Sequence, residues 1–385
     1  MSFVSPVPDP EQPIRPMRVL HTESSSGLGG QELRSLDECV GLTARGHRVA
    51  IACAPGSDLA EEAPRRGVET FVIPIGKRRV EAMKALVATL KDFQPDVVNT
   101  HSSTDSWLST LATRFINPPV PLVRTRHISS PVKGGRVSQW LYRQTAAIVT
   151  TSKDIRQHMI DVVKAPPEKV FAIPTGVDLG RFRPGDRDAA CRDLQLDPTR
   201  RYVGLIAVLR WQKGHRDLID AFAALDAEKY ADTDLLLVGA GPQEPALRDK
   251  LAELNLGARI KLLGHRSPIE PWFHACDMFV MPSYAEGVPQ ALMQAMACGL
   301  PSIVTAIPSL LETVTADEDA LLLQTPGDVP ALTALMDRLL DQPKLRARLG
   351  SAAHHNAERF SQAHMLMAME KVFANAAATR KKLYR

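Results

Sequence analysis

The sequence predicts an α/β protein built from two doubly wound domains, and three observations carry that prediction. The chain has 385 residues, more than one core usually organises at roughly 100 to 200 residues per domain. Short apolar runs recur with helical patterns between them, the alternation expected of βαβ units. The series also occurs twice. The first comprises residues 17–20, 49–54, 68–73, 96–100, 122–125 and 147–151, and the second residues 203–208, 234–238, 260–263, 278–281, 302–305 and 320–323. Their nearly unbroken apolar character suits parallel strands covered on both faces.

Punctuation along the chain divides these series. Pro6, Pro8, Pro10, Pro13 and Pro16 make residues 1–16 an extended, disordered leader. Pro174, Gly176, Pro184 and the charged Gly185-Asp186-Arg187-Asp188 place the domain boundary at 183/184, giving one domain over 17–183 and another over 184–361. A last helical pattern over 362–385 follows a helix that already completes the second domain, so it is expected to cross back and pack on the first. Two such domains facing each other create one cleft, where ligands bind beyond the carboxyl ends of the strands.

Composition narrows the class. At 44% hydrophobic and 23% charged residues, the chain is an ordinary globular protein and not a disordered one. Five widely spaced cysteines with no C-x-x-C pair argue against a disulfide framework and for a reducing, cytoplasmic setting. No apolar export segment opens the chain and no run of about 18 apolar residues spans a bilayer, which leaves surface association open. The net charge of +4 is unevenly distributed: residues 1–184 carry 24 Lys and Arg against 18 Asp and Glu. From Arg114 to Arg143 the chain has six basic residues and no acidic one, a field attractive to anions. Without aromatic interleaving it does not suit nucleic acid. Arg124, Arg126, Lys133 and Arg136 are instead candidates to face a phosphorylated or lipid-linked ligand or an anionic membrane.

The most informative segment runs from Met281 to Pro301, as strand, turn, helix and turn. Gly287 permits a tight turn, Pro289 suits the first helical position, and free N–H groups at that helix end, from about Val288, can receive a phosphate. Glu286 just before the helix and Gln294 two turns inside can hold two hydroxyl-bearing parts of one ligand. Taken alone, the pair would read as no more than an acidic cap and a surface glutamine, and the surrounding pattern decides. Arg210 and Lys213 follow the first strand of the second domain, where two fixed cations can hold a diphosphate and stabilise charge as it leaves. Charged pairs after a strand are also often no more than a solvated face. Gly29 and Gly30 join the first strand to a helix and allow close backbone approach to a ligand, but they lack the spacing of a dinucleotide fingerprint. Gly239-Ala240-Gly241 fails that fingerprint in the same way. His127 ends a strand in the basic stretch, and His101 reads as structural or acceptor-side. Asp317-Glu318-Asp319 has the form of a metal-holding D-x-D but lies in a polar turn, and no metal site is assigned.

In this company the 281–301 segment resembles the E-x7-E motif of retaining group 1, family 4-type glycosyltransferases of GT-B fold. The likeness extends through Gly29-Gly30, His101, His127, Pro174 to Asp178, Arg210 to Gly214, Val238 to Pro242, Gly264-His265 and Glu312. It is closest to enzymes of bacterial lipopolysaccharide core and envelope glycans, judged from His21 to Arg34. The resemblance implies a nucleotide diphosphate sugar as donor, UDP-sugar before GDP- or ADP-sugar, bound by the second domain. A glycan or lipid-linked acceptor hydroxyl is then expected on the first domain, at the cytoplasmic face of a membrane. No cofactor or metal is implied. His127, Arg210, Lys213 and Glu286 take catalytic roles: His127 over the sugar, Arg210 and Lys213 on the diphosphate, Glu286 on sugar hydroxyls. Gly29, Gly30, Gly264, His265, Gly287, Val288 and Gln294 line the donor, with Gly264 and His265 near the base. Two positions depart from the pattern. Gln294 replaces the second Glu, which grips the ribose in relatives, and Thr175 replaces the Asn of an N-G-x-D motif. Other GT-B activities, a nucleotide-sugar epimerase or a phosphorylase, are the alternatives, together with a nucleotide-sugar-binding protein weakened by Gln294.

Overall fold

The computed structural model describes residues 7–10, 13–77, 79–127 and 134–382, the side chains of Lys381 and Lys382 excepted. It forms two compact units, residues 1–175 with 363–385, and residues 176–362. The first unit holds β1 (Arg18–Glu23), β2 (Arg48–Cys53), β3 (Glu69–Val72), β4 (Val97–Thr100), β5 (Leu122–Arg126), β6 (Ala147–Thr150) and β7 (Val170–Ala172). The second holds β8 (Arg201–Ile206), β9 (Thr233–Val238), β10 (Ile260–Gly264), β11 (Met278–Met281), β12 (Ser302–Thr305) and β13 (Ala320–Leu323). The pairings are parallel, in the orders β3-β2-β1-β4-β5-β6-β7 and β10-β9-β8-β11-β12-β13. Each order reverses once, between β1 and β4 and between β8 and β11, and those reversals are where a doubly wound sheet opens a binding crevice.

Strand alternation sends neighbouring residues to opposite faces. In the first unit Val19, Ile51, Val97, Val123 and Val149 meet Leu36, Cys39 and Leu42 of the helix Gly30–Ala44. Leu20, Ala50, Val98 and Leu122 face the other way, onto Leu86, Leu90, Phe93 and Leu108. The long last helix, Gln362–Lys382, completes the first face with Met365, Leu366, Met369, Val372, Phe373 and Ala376. Polar contacts fix its register: Glu370 pairs with Arg45 at 2.7 Å and His47 at 3.0 Å. Near its end Arg380 donates to the carbonyls of Pro95 and Pro118.

Three expectations change. The unit division falls after Thr175, not after residue 183. Val177 N–H donates to Phe360 O, and Phe182 packs edge-on against Phe273 at 5.9 Å, so 177–183 coheres with the second unit. Part of the supposed leader is ordered: Val7 packs on the first unit's core, Pro8 O accepts from Asn375, and Asp9 pairs with Lys371. The short edge strand β7 escaped the apolar-run reading, because only three residues follow the Pro166-Pro167 turn before the chain leaves the sheet.

Candidate active site

In the second unit, the loops that follow β8 and β11 are adjacent at the sheet's reversal. Gly214 (φ +69°) makes this possible, since a Cβ there would strike the Pro282 carbonyl oxygen. Tyr284 N–H donates to Gln212 O at 2.7 Å and ties the loops together. Lys213 and Glu286, 73 residues apart, thereby meet: Nζ lies 2.7 and 2.6 Å from the two carboxylate oxygens. The Glu286 side chain is only 3% exposed, against 21% for Lys213, and Ser283 Oγ donates to its Oε1 at 2.7 Å. A buried carboxylate held by a cation and a hydroxyl is fixed in one orientation. Ser283 carries no separate signal in the sequence, although it lies in the same Pro-Ser-x-x-Glu run.

Arg210 is exposed and lines a cavity with Trp211, Gly214, His215, Gln243 and Tyr284. The helix Gln290–Ala297 begins one residue later than expected, with Pro289 as its N-cap. Gln290 N–H is satisfied by Val288 O at 2.8 Å, and Met293 N–H makes the helix's first backbone bond, to Pro289 O. The amides of Ala291 and Leu292, ahead of that first bond, have no acceptor within the helix. Nothing crowds Gly287, and Gln294 is half-buried two turns on. Gly264 (φ +70°) ends β10 with open space around it, and its carbonyl accepts from Gly239 N–H at 2.9 Å. His265 beside it is exposed. The second unit thus gathers Arg210, Lys213, Glu286 and the start of one helix at its switch point, with Gly264 and His265 at the end of a neighbouring strand.

In the first unit the carboxyl ends of β1, β4 and β5 carry a dense polar cluster. Asp105, fully buried, accepts from the amides of His101 and Ser102 at 2.9 Å and from Thr22 Oγ1 at 2.9 Å. His21, His101 and His127 form a row with successive N···N distances of 2.8 Å. Burial lowers all three below the usual imidazole range, His21 to about 3; at His101 the neighbouring His127, His21 and Arg34 add to the effect, and at His127 Arg34 and His21 do. His127 is thus a neutral imidazole. Gly29 caps the helix Gly30–Ala44, and its amide donates to Glu32 at 2.8 Å, so that amide is already engaged, whereas Gly30 is uncrowded.

Glu23, at the end of β1, is fully buried, with Gln31 donating to Oε2 at 2.6 Å and Ser25 N–H to Oε1 at 3.0 Å. Burial, then the charge of Asp105, raises its pKa from an ordinary 4.5 to about 7. Between those values the folded protein keeps a proton that the unfolded chain has lost, so the stability contribution of Glu23 falls as pH rises and stays lost above about 7. Glu23→Gln removes that loss. It is expected to stabilise the protein at pH 8.5 by up to about 3 kcal/mol and by little at pH 4.5. Urea midpoints at the two pH values check this, and an equal effect at both would contradict it.

The basic candidates separate. Arg124 is 5% exposed, with its guanidinium 4.3 Å from the Tyr142 ring centre. Its strand β5 lies inside the sheet, so it does not face an acceptor or a membrane. Arg126 is half-buried and Arg136 is exposed, while Lys133 lies outside the described residues. Asp319 of the D-x-D is buried and accepts from Thr315 N–H at 2.7 Å and Asn356 at 2.6 Å. Among the described residues no helix is long and apolar enough to cross a membrane.

Two family descriptions match the two halves of the chain. The family description "Glycosyl transferases group 1" matches residues 186–356, and "Glycosyltransferase Family 4" matches residues 28–181. A D-inositol 3-phosphate glycosyltransferase of Rhodococcus opacus is 29% identical over 64% of this chain and 60% of its own length. The lipopolysaccharide core biosynthesis mannosyltransferase LpsB of Rhizobium meliloti is 31% identical over 58% of this chain and 64% of its own length. The chain therefore spans under two thirds of each of these relatives. Among solved structures, Anabaena Alr3699/HepE in complex with UDP superposes with a TM-score of 0.78 at 20% identity, over 92% of this chain and 98% of that one. This last likeness concerns the fold.

Proposed function

Because the chain belongs to the group 1, family 4-type glycosyltransferases, we propose that it moves a sugar, with retained anomeric configuration, from a nucleotide diphosphate donor to an acceptor hydroxyl. The observation that carries this is the Lys213–Glu286 pair at the second sheet's reversal, beside Arg210 and the start of the helix Gln290–Ala297. Lys213 has three N–H bonds and Glu286 does not use them all, so it can bridge the carboxylate to a phosphate. Arg210 and the first amides of the helix add donors for the same diphosphate. Glu286 then holds sugar hydroxyls, Gln294 the ribose, and the backbone near Gly264 and His265 the base. His127 is assigned to the transferring sugar.

In the proposed step the acceptor oxygen forms its bond to the anomeric carbon on the face from which the diphosphate departs. The bond from that carbon to the phosphate oxygen breaks, and the acceptor proton passes to the leaving phosphate. Cations fixed in advance stabilise the charge that grows there, which lowers the barrier without an enzyme nucleophile. No divalent metal is required in this scheme.

UDP-sugars are the favoured donors, a preference supported by the UDP complex of HepE. The acceptor proposed is a phosphate-bearing envelope glycan or lipid-linked sugar at the cytoplasmic membrane face. The D-inositol 3-phosphate in the name of the Rhodococcus relative and the lipopolysaccharide role of LpsB support it. A binding screen of UDP-, GDP- and ADP-sugars, followed by product analysis with and without phosphorylated acceptors in EDTA, tests the reading. Transfer that needs an acceptor and survives EDTA is the expected result. Conversion of the donor alone would make the protein an epimerase instead.

A further inference from the structure

His21 lies on β1, His101 follows β4 and His127 follows β5, three strands that neighbour one another in the sheet. Their rings meet edge to edge. His21 Nδ1 is 2.8 Å from His101 Nε2, and His101 Nδ1 is 2.8 Å from His127 Nε2. Ring centres are 5.1 Å apart in both pairs, with planes 11° and 32° from parallel. Nitrogens so close at that centre separation bond in line rather than stack.

Each such bond needs one N–H and one lone pair, and a neutral imidazole has one of each. Both nitrogens of His101 are engaged within the row, so the proton position on one ring dictates the other two. Positive charge is disfavoured throughout by burial, and at His101 and His127 also by Arg34 of the helix Gly30–Ala44. Among the described residues, the other charged groups about the row are Asp105, which takes the His101 amide N–H, and Arg124 of β5, which acts on Asp105. Glu38 stands beyond them, paired with Arg34 at 2.8 Å.

The inner end of the row breaks the symmetry between its two proton patterns. His21 is fully buried beside Phe373, and its Nε2 has no hydrogen-bond partner among the described residues. An orphaned N–H is costlier to bury than an orphaned lone pair, so the His21 proton belongs on Nδ1, pointing to His101. His101 must then donate from Nδ1 to His127 Nε2. His127 is left with its proton on Nδ1, the nitrogen at the outer end of the row.

We propose that His21 and His101 are positioning residues, which fix the tautomer of His127 so that it meets the sugar as a neutral Nδ1–H donor. The role at the sugar rests on the transferase reading above, whereas the tautomer is a property of the free protein and can be measured without substrate. Protein labelled with ¹⁵N-histidine, examined by long-range ¹⁵N–¹H correlation near neutral pH, is expected to show His127 protonated on Nδ1 and not on Nε2. His21→Phe removes the inner donor and is expected to give His127 mixed tautomers. With a transferred sugar it should lower kcat about tenfold, the effect of one hydrogen bond no longer made, and leave donor KM near its original value. His21→Asn, whose amide places an N–H where Nδ1–H stood, should restore both the tautomer and the rate.

Protonation of His127 on Nε2 in the unaltered protein would overturn the proposal, with no variant needed. An unchanged tautomer in His21→Phe would do the same. If the tautomer shifts as expected and kcat does not, positioning for the sugar is refuted. If His127 has the expected tautomer but no donor is transferred, the tautomer relay stands and the transferase reading fails.

Discussion

Lys213→Ala is expected to lower turnover in sugar transfer about a hundredfold, the loss of roughly 3 kcal/mol seen when one preorganised charge contact to a leaving group is removed. The geometry adds a second consequence. Glu286 has a side chain only 3% exposed and holds Lys213 through both oxygens, so deleting the cation strands a buried carboxylate. That should cost about 3 to 5 kcal/mol of stability. Lys213→Ala/Glu286→Gln separates the effects: the neutral amide should recover most of the lost stability, while turnover stays low because the phosphate still lacks its cation. Steady-state kinetics and urea unfolding of both variants check this. Near-normal turnover in Lys213→Ala would remove the residue from the chemistry.

Gly214→Ala should damage the same place through the backbone. At φ +69° an alanine is strained, and its methyl would also collide with the Pro282 carbonyl, which cannot move aside as a side chain can. The loops after β8 and β11 must then separate, carrying Lys213 away from Glu286. A loss of about 3 kcal/mol or more is expected, together with most of the activity. Gly46 supplies the control, since it has φ +91° and nothing near its missing Cβ. Gly46→Ala should cost only about 1 to 2 kcal/mol, the strain of the left-handed conformation alone. Equal losses in the two variants, measured by urea unfolding, would show that the loop contact is unimportant.

The repeated layout was legible because strands covered on both faces must be apolar along their length, as in Leu235-Leu236-Leu237 of β9 and Met278 to Met281 of β11. A three-residue edge strand such as β7 has too little length for that signal. Proline and glycine punctuation marked a break near residue 180 but did not place it, because Phe182 continues into the second unit's core. Lys213 and Glu286 were each legible, but not their pairing, which depends on two loops 73 residues apart meeting over Gly214. The histidine row was hidden for a related reason. Its members are 80 and 26 residues apart, and only the strand order brings them together. Arg124 went the other way: a basic stretch suggested a solvent-facing charge, but the pleat of β5 turns this residue inward onto Tyr142.

The central claim is that the second unit's switch point holds a diphosphate between Arg210, Lys213 and the amides opening the helix Gln290–Ala297. A crystal structure of the protein grown with UDP-glucose tests it most directly. Phosphate oxygens within hydrogen-bond distance of the Arg210 guanidinium, Lys213 Nζ and the Ala291 or Leu292 amide are the predicted result. Phosphates bound elsewhere, with Lys213 still turned wholly to Glu286, would contradict it.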